Sequence, residues 1–353
     1  MTGLPIAAAQ AIGGEDVAVT ANCLPEHVND VGGKAVGLGS LLRAGQRVPA
    51  SFVVTAGAYR EYRRGEPGEL TPRLREAIVS AYAALCEPHG RDVPVAVRSS
   101  ATVEDSAEAS WAGQFQTFLG VSGAAEVLAK VEQCWAAALD PHVGAYRDGH
   151  RLGAADGGVA VIVQELVDAR AAGVMFTQHP ETGDRSLIVI ESSHGLGEAV
   201  VGGDVVPDLF EINKITRQQH RSRLGTKHTE HRLAGDGRGV QARPVDPARQ
   251  QAWSISEPEI TALADMAAAL EAKLGRGLDV EWAVGTAPST HGAQALFALQ
   301  VRPITVPPGK RPERPGRPER PGRAERPGTG PGHDAIGHIL SRLAGHEPGS
   351  GAG

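Results

Sequence analysis

Side chains able to bind phosphate and a hard cation occur together near residue 280. Residues 279–284 and 296–303 both alternate apolar and polar residues, as the strands of a half-buried hairpin do. Counting inward from both ends places Glu281 opposite Gln300, with Arg302 on the same face. Carboxylate and amide oxygens suit Mg²⁺, and a guanidinium grips phosphate in bidentate fashion. The pattern indicates a nucleotide-phosphate site on a sheet, but a solvated hairpin face carries similar residues.

Three further positions are candidates for nucleotide contacts. Lys34 follows two glycines at a predicted helix start, where N–H groups and an ammonium face a phosphate together. Arg98 follows an apolar strand and begins a small, polar segment that can close over a triphosphate; a surface arginine in an ordinary salt bridge is the alternative. Gln164 ends the strand that starts at Val159, where main-chain groups can pair with an adenine edge.

Other nucleotide motifs and metal patterns are absent from the sequence. No GxxxxGK[ST] run occurs, which excludes a P-loop. The run Gly195-Leu196-Gly197-Glu198 lacks the third glycine of a dinucleotide fingerprint, which excludes a Rossmann site. His179 and His194 lie in turn-like segments without metal-ligand spacing, so we expect surface or supporting histidines rather than nucleophiles or ligands.

Composition narrows the class of protein. The 353 residues carry a net charge of −6, which gives no reason to expect a nucleic-acid partner. Three scattered cysteines indicate neither a disulfide framework nor a zinc site. The first residues lack a basic signal-peptide region, and no apolar stretch reaches the ~18 residues of a membrane span. We therefore expect a cytoplasmic protein without a membrane partner.

The chain divides into four regions by composition. Residues 1–20 are small and unpatterned and predict a loose terminus, with order beginning near Cys23. Residues 21–308 form the folded body. Residues 309–332 contain repeats of Arg-Pro-Glu-Arg-Pro-Gly, which cannot bury apolar surface and predict a solvated linker. Residues 333–353 predict a short helical or disordered tail.

Periodicity predicts mixed secondary structure in the body. Helices are expected from Gly33 onward and at 71–86, 124–139 and 257–274, and strands at 51–55, 93–97, 159–163 and 187–190. Mixed elements with several hairpins favour an α+β fold over a doubly wound sheet.

Taken together, these segments resemble one family: the ATP-binding, N-terminal domain of pyruvate phosphate dikinase, phosphoenolpyruvate synthase and rifampin phosphotransferase. The resemblance covers roughly residues 23 to 305. The segments that carry it are Val31-Gly32-Gly33-Lys34, Pro49-Ala50-Ser51-Phe52, Val97 to Asp105, Trp111 to Phe115, Gly173 to Thr177, Gly195-Leu196-Gly197-Glu198, Asp279 to Trp282 and Leu299 to Pro303.

The resemblance implies an ATP-grasp-like fold whose two α+β lobes sandwich ATP and Mg²⁺. It implies that Lys34 contacts phosphate, Arg98 binds the transferring end and Arg302 lies beside the phosphates, which makes these three the catalytic candidates. The remaining implied contacts are Gly113 and Thr117 in the closing loop, Gln164 near the adenine, and Glu281 and Gln300 on Mg²⁺.

The sequence also departs from the family pattern. The family's histidine carrier and acceptor domains are not in this chain, and His333 and His338 lack the carrier's glycine-rich, Thr/Ser-x-His context. The leading hypothesis is an ATP-dependent phosphotransferase subunit of the dikinase type that hands phosphate to a histidine on a partner chain. A direct small-molecule kinase and a non-catalytic ATP-binding regulator are the alternatives.

Overall fold

The computed structural model describes residues 16–64, 69–101, 117–139, 158–275, 277–288 and 294–304. These residues form helices and antiparallel sheets, and the predicted α+β class is confirmed. The predicted linker 309–332 and tail 333–353 lie outside the described residues. Within the described ranges, no helix combines the length and the apolar character needed to cross a bilayer.

The first sheet has five strands in the order β1-β2-β5-β3-β4, and every neighbouring pair is antiparallel. Runs of β-branched valine favour these strands because valine packs well on a pleated surface. The strands are β1 Val17–Val19, β2 Ser51–Val54, β3 Val95–Ala101, β4 Thr117–Val121 and β5 Val159–Glu165. The predicted strands at 51–55 and 159–163 are confirmed with small shifts at their ends. The strand predicted at 93–97 continues to Ala101, so the prediction that a flexible segment begins at Arg98 is wrong for residues 98–101.

Helices cover both faces of the first sheet. They are α1 Val28–Arg43, α2 Ala56–Arg64, α3 Pro72–Cys86 and α4 Ala124–Leu139. Helices α2, α3 and α4 bury one face around Trp135, whose ring lies 5.8 Å from Tyr59 and 5.1 Å from Tyr62. The predicted helices at 71–86 and 124–139 are confirmed, with Thr71 as the side-chain cap of α3.

Helix α1 is broken at Gly32, where φ is 76°. A Cβ atom at this position would lie 2.3 Å from the carbonyl oxygen of Ser100. Only glycine allows both the left-handed conformation and this approach. The predicted turn into a helix at Gly33 is therefore correct, but helical structure already begins at Val28.

The second sheet has six antiparallel strands in the order β13-β12-β6-β7-β8-β9. They are β6 Ala169–Phe176, β7 Leu187–His194, β8 Asp208–Asn213, β9 Gln219–Arg223, β12 Leu278–Pro288 and β13 Gln294–Pro303. The predicted strand at 187–190 is confirmed and continues to His194. Two helices in this half are short. Helix α5, Glu198–Val201, follows β7, and helix α6, Pro247–Gln250, precedes the long helix Glu257–Leu274.

Helix α7, Glu257–Leu274, covers one face of the second sheet and confirms the predicted helix at 257–274. Glu259 reaches back to accept a hydrogen bond of 2.7 Å from the backbone N–H of Ser256, and Gly275 ends the helix in a left-handed conformation. Leu263 and Leu270 are fully buried in the core that this helix shares with the sheet.

Order begins earlier than the sequence predicted. Val17–Val19 pairs with β2, so the prediction of a loose terminus through residue 20, with order from Cys23, is wrong by a few residues. A three-residue edge strand is too short to leave a periodic signal. Cys23, Cys86 and Cys134 are buried, and burial raises the pKa of Cys23 and Cys134 to about 12.

A small hairpin connects the two halves. Its strands are β10 Thr229–Leu233 and β11 Val240–Pro244. Between them, the backbone N–H of Gly239 donates a 2.8 Å hydrogen bond to the carbonyl of Gly120 in β4. Gly120 has φ of 71°, and a Cβ there would lie 2.6 Å from the nitrogen of Gly239.

Replacement of Gly120 tests this contact. We expect Gly120→Ala to lower the free energy of unfolding by about 3 kcal/mol, because a left-handed conformation costs about 1–2 kcal/mol and overpacking adds about 1–3 kcal/mol. Gly90→Ala is the matched control, since Gly90 has φ of 61° but no atom within 4 Å of the added Cβ. Urea unfolding measures both variants, and equal losses would show that the hairpin contact is not tight.

Candidate phosphate and cation site

The register between β12 and β13 determines which side chains lie on each side of this hairpin. Glu281 pairs with Gln300 and Asp279 with Arg302, which confirms the pairing predicted from the alternation. A bulge follows, because Trp282 pairs with Ala298 and skips one residue. Asp279, Glu281, Gln300 and Arg302 therefore share one side, called here the polar face. The opposite side is anchored in the core by fully buried Trp282.

Arg98 of the first sheet reaches the polar face. Its Nη2 donates hydrogen bonds to Gln300 Oε1 at 2.6 Å and to Glu281 Oε2 at 3.2 Å. The side chains of Arg98 and Glu281 are only 14% and 18% exposed, so solvent weakens their attraction less than at a surface. Arg98, Glu281 and Gln300, which were predicted to belong to one site, are therefore in contact through Nη2 of Arg98.

Lys34, on helix α1, contacts strand β3 at the residue that follows Arg98. Its Nζ donates a 3.1 Å hydrogen bond to the carbonyl of Ser99, and the Ser100 hydroxyl accepts a 3.4 Å bond from the N–H of Ala35. The break of α1 at Gly32 allows this approach of helix to strand. The ammonium of Lys34 is therefore held at the backbone of the residue next to Arg98.

Asp279 is a residue of the polar face that the sequence reasoning did not single out. Its Oδ2 accepts a 2.8 Å hydrogen bond from Nε of Arg302, which fixes the plane of that guanidinium. Burial raises the pKa of Asp279, against the opposing effect of the Arg302 charge. Its Oδ1 is buried without a hydrogen-bond partner among the described residues. Its spacing of two residues from Glu281 on one strand was the available signal.

Gln164 lies apart from this cluster. It pairs with Ala96 on β3, two positions from the pairing of Ile162 with Arg98, and therefore shares the face of Arg98. Gln164 is 3% exposed, and its Nε2 has no hydrogen-bond partner among the described residues. A cavity of about 840 Å³ begins at the next residue and is lined by Glu165, Leu166, Val167, Phe297 and Arg47, among others.

Thr117 and Gly113 were both expected in a closing loop. Thr117 is instead the first residue of strand β4 and pairs with Arg98, so its assignment to a loop is wrong. It lines a second cavity of about 500 Å³ together with Glu198 and His231. Gly113 lies outside the described residues.

The two candidate histidines have structural contacts. His194 is the last residue of β7 and is buried, so the turn-like segment and the surface position are wrong, whereas the alternative of a supporting histidine stays a prediction. Its Nε2 bonds the carbonyl of Arg249 at 2.9 Å, and burial lowers the pKa of His194. His179 is also buried, and its Nδ1 accepts bonds from the N–H groups of Glu181 and Thr182. Across the described part of the chain, no cluster of three or more His, Cys, Asp or Glu residues could hold a metal ion.

The arrangement suits a polyanion accompanied by a hard cation. Lys34, Arg98 and Arg302 supply positive charge for phosphate oxygens. Glu281 Oε2 and Gln300 Oε1 already converge on a cationic nitrogen, and both are oxygen donors of the kind that Mg²⁺ prefers. The residues present therefore fit such an ion.

The pKa of Asp279 gives a stability test. Because that pKa is higher in the native than in the unfolded state, the native state binds the proton more tightly and loses stability as pH rises through the native pKa. Asp279→Asn cannot ionise. We expect it to raise the free energy of unfolding relative to wild type at pH ~8, with a difference that shrinks toward pH ~4.

Asp184→Asn is the control of opposite sign for this test. Hydrogen bonds from Ser186 lower the pKa of Asp184, so its carboxylate stabilises the native state above the unfolded pKa and this contribution is lost as pH falls. The Asp184 variant should therefore be less stable than wild type at pH ~8. Urea unfolding at both pH values measures the two variants, and a pH-independent effect of Asp279→Asn would contradict the burial argument.

Comparison with known proteins identifies similar chains. Residues 65–320 match the family described as pyruvate phosphate dikinase, AMP/ATP-binding domain. A phosphoenolpyruvate synthase of Aeropyrum pernix is 37% identical over 80% of this chain and 41% of its own length. A prodigiosin synthesizing transferase of Serratia marcescens is 38% identical over 78% of this chain and 31% of its own. A rifampicin phosphotransferase of Streptomyces sviceus is 33% identical over 78% of this chain and 34% of its own length.

The chain spans less than half the length of each of these relatives. Their names differ in the compound concerned, although all three match nearly the same share of this chain. Since the matched residues 65–320 make up most of the sequence, and the resemblance inferred from the motifs is confirmed, the chain belongs to the pyruvate phosphate dikinase AMP/ATP-binding domain family.

Proposed function

We propose that the chain binds ATP with Mg²⁺ and acts as a phosphotransferase of the pyruvate phosphate dikinase and phosphoenolpyruvate synthase type. A phosphoryl group would pass from ATP to a histidine carrier on a separate chain, which would deliver it to a final acceptor. The family supports ATP as the nucleotide. Relatives named phosphoenolpyruvate synthase and rifampicin phosphotransferase support phosphoryl transfer, and their different names leave the acceptor open.

One observation carries the proposal: the meeting of Arg98 with Glu281 and Gln300. Two sheets that are remote in sequence contribute to it, which is the arrangement expected of an ATP-grasp-like fold with ATP held between two lobes. The 840 Å³ cavity beside Gln164 has the size of a small-molecule site. Its size supports binding of the adenine there.

The residues of the polar face, together with Lys34 and Arg98, would have different roles in phosphoryl transfer. Arg302, held by Asp279 through Nε, would present a fixed guanidinium to phosphate oxygens. Lys34 and Arg98 would offset negative charge on the group that is transferred. Glu281 and Gln300 would hold Mg²⁺, which when bound neutralises phosphate charge and orients the phosphates. A histidine nitrogen of the carrier would then form the P–N bond with the β-phosphorus, while the AMP oxygen keeps the electrons of the broken P–O bond. The γ-phosphoryl group would pass to a second acceptor, water or phosphate, which leaves phosphohistidine on the carrier.

Variants of the polar face test this assignment. We expect Glu281→Ala and Gln300→Ala to lower turnover with a competent acceptor by about 100-fold while ATP affinity changes much less, since these residues act mainly on developing charge. Calorimetry with Mg²⁺ and ATP measures affinity, and nucleotide product formation measures turnover. Near-native turnover in both variants would remove the hairpin from the metal site.

Arg302→Lys is expected to be nearly as damaging, because lysine keeps the charge but loses the planar fork. Arg170→Lys is the matched control. Arg170 is also half-buried and donates to Glu259 and to the carbonyl of Ser254, away from the polar face. A loss in Arg170→Lys equal to that in Arg302→Lys would indicate a general effect on stability instead of a role in phosphate binding.

The reaction type is tested with a family-type carrier domain added to the purified chain. We expect acid-labile phosphohistidine on the carrier, release of AMP and transfer of the third phosphate of ATP to water or phosphate, which together mark dikinase chemistry with paired acceptors. A carrier whose histidine is replaced by alanine is the control. Release of ADP dependent on a small-molecule acceptor, without any carrier, would favour a direct kinase instead. Absence of ATP binding at millimolar Mg²⁺ and nucleotide would contradict the proposal.

A further inference from the structure

The guanidinium of Arg98 contacts the hairpin at the position proposed for Mg²⁺. A single nitrogen, Nη2, is the donor to both Glu281 Oε2 and Gln300 Oε1, at 3.2 and 2.6 Å. These two oxygens are the proposed Mg²⁺ ligands. The other ion pair of the polar face is different, because Arg302 contacts Asp279 through Nε at 2.8 Å, and Asp279 is not one of those ligands.

Arg98 and a divalent cation compete for the two oxygens. Mg²⁺ binds oxygen ligands at ~2.0–2.1 Å, which is inside the separation that Nη2 keeps from each of them. Two positive groups would then lie within a few ångströms of each other in a partly buried position, where their repulsion is poorly screened. Binding of the metal to Glu281 and Gln300 therefore weakens the hold of Arg98 on both and favours its release.

We propose that Arg98 is a latch that closes the metal site in the nucleotide-free protein and opens when phosphate draws its guanidinium away. The inference rests on the proposed function, since it takes Mg·ATP as the ligand. It adds an order to that function: the polyphosphate must engage Arg98 before Glu281 and Gln300 become available as ligands.

Phosphate is suited to open the latch. A phosphate group offers a guanidinium two parallel acceptor oxygens, which replace the two oxygens that Arg98 gives up on the hairpin. Lys34 reinforces this exchange, because its Nζ is held at the carbonyl of Ser99, the residue next to Arg98. The polyanion would thus be attracted to the strand of Arg98, on the first sheet, and the metal ligands would be freed on the second.

Opening the latch also removes a connection between the two sheets. Arg98 and Glu281 are 183 residues apart in sequence and belong to different sheets. The bond between them couples occupation of the site to the relative position of β3 and the hairpin. Because coupling of two ligands is reciprocal, nucleotide should strengthen metal binding at Glu281 and Gln300 as much as metal strengthens nucleotide binding.

Mn²⁺, used as a spectroscopic probe, tests the latch without turnover. Electron paramagnetic resonance of free Mn²⁺ gives the affinity of nucleotide-free wild type, Arg98→Met and Arg98→Gln. Methionine keeps an unbranched stem and glutamine keeps a polar end, so two variants guard against failure to fold. We expect both to bind Mn²⁺ at least about tenfold more tightly than wild type, because each removes charged hydrogen bonds that the ion must otherwise break.

Two controls locate the effect. Arg98→Met combined with Glu281→Ala should return Mn²⁺ affinity to the wild-type value or below, because the gained site depends on Glu281. Arg73→Met removes an arginine whose contact with Asp16 is 2.7 Å long and lies away from the hairpin, and it should leave Mn²⁺ affinity unchanged.

The latch and the proposed function fail in different ways. Unchanged Mn²⁺ affinity in both folded Arg98 variants, with Mg·ATP binding to wild type in calorimetry, would overturn the latch and leave the proposed function in place. A gain that persists in the double variant would also overturn it. Absence of Mg·ATP binding to wild type would contradict the proposed function, and with it the release of Arg98 by phosphate.

Discussion

The register between β12 and β13 is the constraint on which the rest of the site depends. Glu281 faces Gln300 because Trp282 and Val280 are buried on the other side of the hairpin. A slip of one residue would turn the polar side chains into the core and the indole into solvent. The bulge after Glu281 changes the pairing only beyond the site. Burial of Trp282 therefore fixes the position of the Glu281 carboxylate, although the two side chains point in opposite directions.

The electrostatics of the polar face follow from this placement. Three cationic side chains in one region would repel one another, and in the absence of a polyanion each has an oxygen partner in the protein. Arg98 has Glu281 and Gln300, Arg302 has Asp279, and Lys34 has the carbonyl of Ser99. A ligand that supplies phosphate oxygens would compete with these internal partners. A ligand must therefore break the contacts that order these side chains before it binds. A highly charged ligand is favoured because its interactions with the three cations can replace those contacts.

Local patterns in the sequence were sufficient for the hairpin and for the long helices. Alternation alone gave the pairing of Glu281 with Gln300, and periodicity gave α7 to the residue. It could not give the contact of Arg98 with the hairpin, since nothing local reports on a partner 183 residues away; only the resemblance to a family placed these residues in one site. His194 was misread because a glycine follows it, although the strand continues up to the histidine itself.

Buried polar groups of this fold differ in how far their hydrogen bonds are satisfied. In the second half of the fold, fully buried Lys227 donates to Asp208, whose two oxygens also accept bonds from Gly225 and Ser254. Such a network is costly to break, because removing one partner leaves a buried charge. On the faces that carry Arg98 and Glu281, by contrast, Nε2 of Gln164 and Oδ1 of Asp279 have no hydrogen-bond partner among the described residues. Unsatisfied buried atoms also occur elsewhere among the described residues, for example Ser193 Oγ and Trp282 Nε1. Nε2 of Gln164 and Oδ1 of Asp279 differ from these because each shares a face with a charged residue of the proposed site, where a ligand can supply the missing bond.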